Sequence, residues 1–179
     1  MKHRFCIPLF GLLMFVWSVS DGAASEKRLD RRVAKLLGGE KGVKVITTAD
    51  KVEAYRIKPE YGAGDDVKKI AGFPLISGPH KVDAGHARVL RRVLFNSKTY
   101  MFDVAKACEF EPGIVIRFSG KSGMIDVVFC FSCEELKTEL DGKRVGYEDF
   151  DRARGILVPV MKQIFPKDAE IQELTLSGK

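Results

Sequence analysis

The chain is poor in cysteine, has no internal repeat and carries only one long apolar run. Each shortage removes a class of protein. Four cysteines in 179 residues are too few for a miniprotein framed by dense disulfides. No collagen period or sustained heptad is present, which excludes a triple helix and a coiled-coil rod. A single apolar stretch excludes a polytopic membrane protein. Nucleotide and calcium motifs are missing as well. Gly62-Ala63-Gly64 has neither a following Lys-Ser/Thr nor the dinucleotide spacing. Asp141-Gly142 lacks the alternating acids of a calcium loop. No serine sits in G-x-S-x-G, and no motif calls for a cofactor.

What remains is an ordinary globular balance, with 45% hydrophobic and 30% charged residues and a net charge of +6. That balance argues against wholesale disorder. The first residues read as a targeting segment. Lys2, His3 and Arg4 form a basic start, an apolar stretch runs from Phe5 to Val19, and Gly22 and Ala24 fit the small positions of a signal-peptidase site. The apolar run has about 15 residues, short of the roughly 20 that span a bilayer. The reading is a signal peptide over 1–24 with cleavage before Ser25, an uncleaved anchor being the competitor. Cys6 leaves with the signal. A mature chain of 155 residues remains after the first 24 of 179, long enough to bury roughly 68–70% of its unfolded surface. With Lys2, Arg4 and Asp21 removed, its charge is +5. That excess suits an anionic envelope surface, although a plain solvated surface explains it too. There is no specific nucleic-acid signal. The expected location is periplasmic or extracellular, with no transmembrane helix in the mature chain.

Periodicity predicts one α+β domain over 25–179: an antiparallel sheet with a central hairpin and flanking helices. Leu29, Val33, Leu36 and Leu37 mark a helix over 25–39 that stops at Gly38-Gly39. Alternating apolar residues predict extended structure over 43–57. Residues 59–81 hold Gly62, Gly64, Gly72, Gly78, Pro59, Pro74 and Pro79, which marks loops and hence the expected functional surface. Asp83 is the expected N-cap of a helix over 84–95. A short strand is expected at 99–102. Residues 113–119 and 124–133 form the central hairpin, and Asp141-Gly142 turns a further one over 136–145. A last helix is expected over 151–164, with Ile156 on its apolar face and Pro159 kinking it or moving its start. Glu148, Asp149 and Asp151 are read as its cap rather than as acid/base carboxylates. Arg88, Arg91, Arg92 and Lys98 read as a solvated face rather than a phosphate site, and no serine is selected to join Asp83 and His86.

Cys108, Cys130 and Cys133 carry the most specific signal, and three chemistries fit them. An exported chain meets an oxidising compartment where a structural disulfide persists, pairing Cys108 with Cys130 or Cys133. Within a regular strand, Cys130 and Cys133 would point to opposite faces and not bridge each other. The second chemistry is a periplasmic thiol-disulfide protein using Cys130-Phe131-Ser132-Cys133, although Glu134 and Glu135 disfavour a thiolate there. The third is a zinc-stabilised binding module in which His80 or His86 joins the three cysteines. The run Cys108-Glu109-Phe110-Glu111-Pro112, a hairpin, then Cys130-Phe131-Ser132-Cys133 resembles a family of small exported uncharacterised bacterial proteins with a C-x-F-x-P … C-F-x-C pattern, over about residues 98–165. The resemblance implies that the three cysteines lie together in space and implies no activity. The expected function is an exported non-enzymatic domain of unknown ligand with a structural cysteine cluster.

Overall fold

The computed structural model describes residues 29–60, 64 and 66–177. The signal peptide read at the N-terminus lies outside them. Four strands follow one another with short connections: β4 (Ile114–Gly120), β5 (Gly123–Cys130), β6 (Glu135–Leu140) and β7 (Lys143–Asp149). The earlier strands are β1 (Lys51–Ile57), β2 (Lys69–Ile70) and β3 (Phe73–Lys81). All seven form one antiparallel sheet in the order β2-β3-β1-β4-β5-β6-β7. The helices are α1 (Arg31–Leu36), α2 (Gly39–Thr48), α3 (Ala84–Phe95), α4 (Arg154–Ile164) and α5 (Ala169–Gln172). The chain is therefore an α+β fold with an antiparallel sheet and flanking helices, and its central hairpin is β4–β5.

Strand alternation divides the sheet into two faces. Val52, Ala54, Ile114, Ile116, Phe118, Ile125, Val127, Phe129 and Leu136 point to the inner face. There they bury Val33, Leu36, Ile46, Leu90, Leu94, Leu157 and Met161 of the helices in the main core. The alternate positions form the outer face. A second, smaller core lies there around Tyr55, Ile57, Ile70, Phe73, Phe110, Val115, Val128, Cys130 and Cys133. From Ile125 onward β5 is buried on both faces, as its continuous hydrophobicity predicts.

Several expected elements change. Residues 43–48, expected to be extended, belong to the helix over 39–48, because Gly42, Val45 and Ile46 at helical spacing face the sheet. Two valines and two glycines lower its intrinsic propensity, and tertiary burial decides. The 59–81 stretch contains β2 and β3 rather than loops alone. Pro79 is tolerated because it falls in the irregularity between the Arg56–Ser77 and Ala54–His80 pairs, where a missing N–H costs little. Pro74 sits beside the two-residue turn that joins β2 to β3. Residues 97–99 form a 3-10 turn instead of a strand, with Thr99 donating to the Val93 carbonyl and Tyr100 to that of Leu94. The first described helix is the short α1, capped by Asp30. It ends before Gly38, which has φ +84°.

The expected α3 is present, with the Asp83 carboxylate accepting from the His86 N–H. The last helix begins at Arg154 after a 3-10 turn at 151–153. Pro159 is exposed, so the unbonded Gly155 carbonyl meets water and α4 continues through it. Ile156 faces solvent and Val158 faces the core. At the β6–β7 turn, Asp141 has φ +49° and Gly142 φ +77°, the left-handed pair that a two-residue hairpin needs. Gly146 is required for a different reason: a Cβ there would overlap the Leu36 carbonyl, so α1 rests on β7 through its main chain.

Candidate functional site

The sequence pattern points to the cysteines, and the end of β5 positions them. The strand stops at Cys130, and residues 131–134 make a tight turn with Glu134 at φ +58°. That turn removes the strict alternation, so Cys130 and Cys133 both face the outer-face core. Cys108 bonds to Cys133 with their Cα atoms 5.9 Å apart. Cys130 keeps a free, fully buried thiol whose Sγ lies 3.2 Å from Ser132 Oγ. The C-x-x-C therefore makes no bond within itself.

The disulfide staples the 101–113 segment over the outer face. Lys106 adds a second tie: its Nζ donates to the Cys133 carbonyl at 2.9 Å and to both Asp151 carboxylate oxygens at 2.7 and 2.8 Å. Phe110 is buried by this arrangement. Its ring lies 3.7 Å from Lys137 Nζ and 6.0 Å from the Tyr147 ring. A cavity of about 570 Å³ adjoins it, lined by Lys137, Arg144, Val145, Gly146 and Tyr147.

The acidic cluster sits around Lys106. Asp151 and Glu134 share a hydrogen bond. Burial and that bond hold the Glu134 carboxyl above its ordinary range, with the Arg154 charge, 3.4 Å away, opposing. Burial also acts on Asp151, but the hydrogen bonds from Lys106 and Glu134 prevail and its carboxyl is lowered. Burial raises Asp149 against the pull of Lys106 at 3.7 Å. Asp149 stands opposite Glu135 across β6 and β7, and one carboxylate oxygen of each is buried without a hydrogen-bond partner. The expected capping role is not observed: neither the 3-10 turn nor α4 receives a side-chain cap. Asp151 is drawn to Lys106 instead.

The histidines lie elsewhere. His80 Nε2 is 3.0 Å from Ser77 Oγ, and its ring meets Phe165 edge-on at 5.1 Å. His86 contacts the Asp83 carboxylate through Nδ1 and lies 2.7 Å from Gln163 Oε1 through Nε2. The Gln163 bond, opposed by burial and helped by Asp83, raises its pKa. The zinc set of Cys108, Cys130, Cys133 and His80 or His86 is not assembled. Two of its thiols are consumed by the disulfide, and among the described residues no group of three His, Cys, Asp or Glu side chains is placed to hold a metal. Arg91 is not available to a phosphate, because it donates to the Ile46 and Ala49 carbonyls at the end of α2. Arg88, Arg92 and Lys98 are exposed.

Two features escaped the sequence reading. One is a charged row across the outer face, with one residue from each of five strands: Glu53, Arg117, Asp126, Glu139 and Arg144 stand side by side in register. Arg117 binds Asp126 through two bonds of 2.7 Å. The strands' alternation carried this signal, but pairing order was needed to read it. The other is Arg56, whose buried guanidinium binds Asp168 at 2.7 Å together with Glu170 and the Gly113 carbonyl. Asp168 and Glu170 lie more than 100 residues away along the chain, and no local pattern predicts that meeting.

Comparisons with protein-family models, with curated proteins and with solved structures find no match to this chain.

Proposed function

We propose that the chain is an exported, non-enzymatic binding domain whose Cys108–Cys133 disulfide holds the 101–113 segment in place as part of its outer surface. The disulfide is the observation that carries this reading, since such a bond persists in an oxidising compartment and is rare in a reducing one. The basic and apolar start of the sequence and its resemblance to small exported proteins support the same location. The four inward cations favour binding over catalysis, because each is held by internal partners, while Glu135 and Asp149 each keep one buried oxygen unpartnered. Arg56 is taken by Asp168 and Glu170, Arg117 by Asp126, Lys106 by Asp151, and Arg154 by Glu134 and the Phe131 and Thr175 carbonyls. The exposed ring of Tyr147 and the neighbouring Arg144 offer an aromatic and cationic contact surface beside the stapled segment.

The test is the intact mass of protein recovered from the oxidising side of an expressing cell, alkylated in denaturant without reductant. A chain beginning at Ser25 with a single alkyl group, on Cys130, is the expected result. A chain retained inside the cell, or one taking a group on every cysteine, would refute the proposal. Reproducible turnover of ester or phosphoester substrates, lost with a single side chain, would refute its non-enzymatic part.

A further inference from the structure

We propose that β7 is a self-association edge: two copies pair antiparallel through Lys143–Glu148, about a two-fold axis between Val145 and Gly146. β7 is hydrogen-bonded to β6 on one side, and among the described residues no strand lies along the other. Among the described residues that open side is closed at its far end, where the Asp149 carbonyl accepts the Met101 N–H at 3.3 Å and the Asp149 N–H donates to Glu148 Oε1 at 3.1 Å, leaving the other Glu148 oxygen to meet Lys143. The Asp149 carbonyl therefore points away from β6, and alternation makes the main chain of Tyr147 point outward too.

The register selects a second copy as the partner. A bulge between Thr138 and Glu139 places Arg144 opposite Glu139 and Tyr147 opposite Lys137, so both share the outer face. Lys143 stands opposite Leu140 and Glu148 opposite Leu136, so both share the inner face. An axis between Val145 and Gly146 opposes Lys143 to Glu148 and Arg144 to Tyr147, with the bulged Val145 against Gly146. Residues directly opposite in an antiparallel pair must share a face, and this register satisfies that rule at both charged pairs. Opposing Lys143 to Asp149 instead sets an inner-face residue against an outer-face one.

The chemistry matches as well. Lys143 would meet Glu148 at a cavity of about 370 Å³ that Arg32, Lys35 and Asp103 also line, with Asp103 paired to Arg32 at 3.8 Å, so Glu148 is the carboxylate left to receive it. Arg144 would lie on the Tyr147 ring, which is 47% exposed. Exposed Lys143 and Arg144 repel a generic strand, as edge cations do, but a second copy presents the complementary groups. The pairing is short, so a weak dimer is expected.

The test is sedimentation velocity on the purified full chain over a concentration series. Wild type should show a monomer–dimer equilibrium. Lys143→Glu and Glu148→Lys, each placing like charges together, should weaken it at least tenfold. An equimolar mixture of the two variants restores both charge pairs and should recover wild-type association, as should the double swap in one chain. Circular dichroism confirms that each variant is folded, and Arg144→Ala at an exposed site gives a milder loss if Glu148→Lys fails to fold. A wild type that stays monomeric throughout, a dimer indifferent to residue 143, or a mixture and double swap that both fail to recover association would overturn the proposal.

Discussion

Opening the Cys108–Cys133 bond isolates the contribution of the staple. The two residues are 25 apart in sequence, and the loop-closure entropy of such a link is worth about 3.5 kcal/mol at room temperature. Cys108 is exposed and Cys133 is buried, so Cys108→Ala removes the bond with little loss of packing. The native state should survive it, because Lys106 still ties the segment to the Cys133 carbonyl and Asp151 and Phe110 remains packed. The loss then comes almost wholly from the freed unfolded chain. Urea denaturation measures it. With a slope of about 1.7 kcal/mol per molar, the midpoint should fall by about 2 M. Reduced wild type should coincide with the variant, and reductant should leave the variant unchanged. Equal midpoints for oxidised wild type and Cys108→Ala would refute the entropic reasoning.

Three further perturbations follow from the buried charges and the α3 cap. Burial holds Asp149 above its ordinary range, so its ionised form opposes folding at neutral pH and protonation relieves it below the folded pKa. Asp149→Asn should therefore raise the melting temperature near about pH 7, with the gain fading toward about pH 4; a lower melting temperature at neutral pH would show that Lys106 outweighs burial. Arg56→Ala should cost about 3 kcal/mol in denaturant titration. That is the lower end for a broken buried pair, because Asp168 is partly exposed and Glu170 largely so. A loss under about 1 kcal/mol would mean that these carboxylates rehydrate freely. Asp83→Ala should remove the α3 cap for about 1 kcal/mol, seen as a drop of about 2–4 °C in the thermal midpoint; no drop would show that the cap bond adds nothing net.

The sequence was most legible where local chemistry and packing agree. The Asp141-Gly142 turn, the Asp83 cap and the apolar runs of β4 and β5 each demand the same local conformation that the sheet uses. It misled where tertiary burial overrode propensity. Val43 and Val45 suggest a strand, yet Val45 and Ile46 gain more by facing β4 and β5 from a helix. The prolines of 59–81 suggest a loop, yet β3 accommodates Pro74 beside its turn from β2 and Pro79 at a register irregularity. Within the cysteine cluster, membership was readable and pairing was not. The reason is one turn, Phe131–Glu134, which breaks alternation and swings Cys133 onto the face of Cys130. Lys106 and Arg56 carry no local signature, because their partners are set by chain folding over long separations.

The order of strands also sets an order of assembly. β4 to β7 form a meander whose β4–β5 and β6–β7 hairpins turn on two residues and whose β5–β6 link is a four-residue turn. Its pairings close over short lengths of chain and form quickly. β1 is different: Lys51 pairs with Ser119 and Arg56 with Ile114, so it waits for a strand made much later. During synthesis the stretch from α1 to β3 emerges, and β1 can pair with β3, but its other edge still lacks β4. That interval leaves one edge of a sticky strand open before its second partner exists. A chaperone that shields residues 51–57 should therefore raise the folded yield more than one acting on the meander.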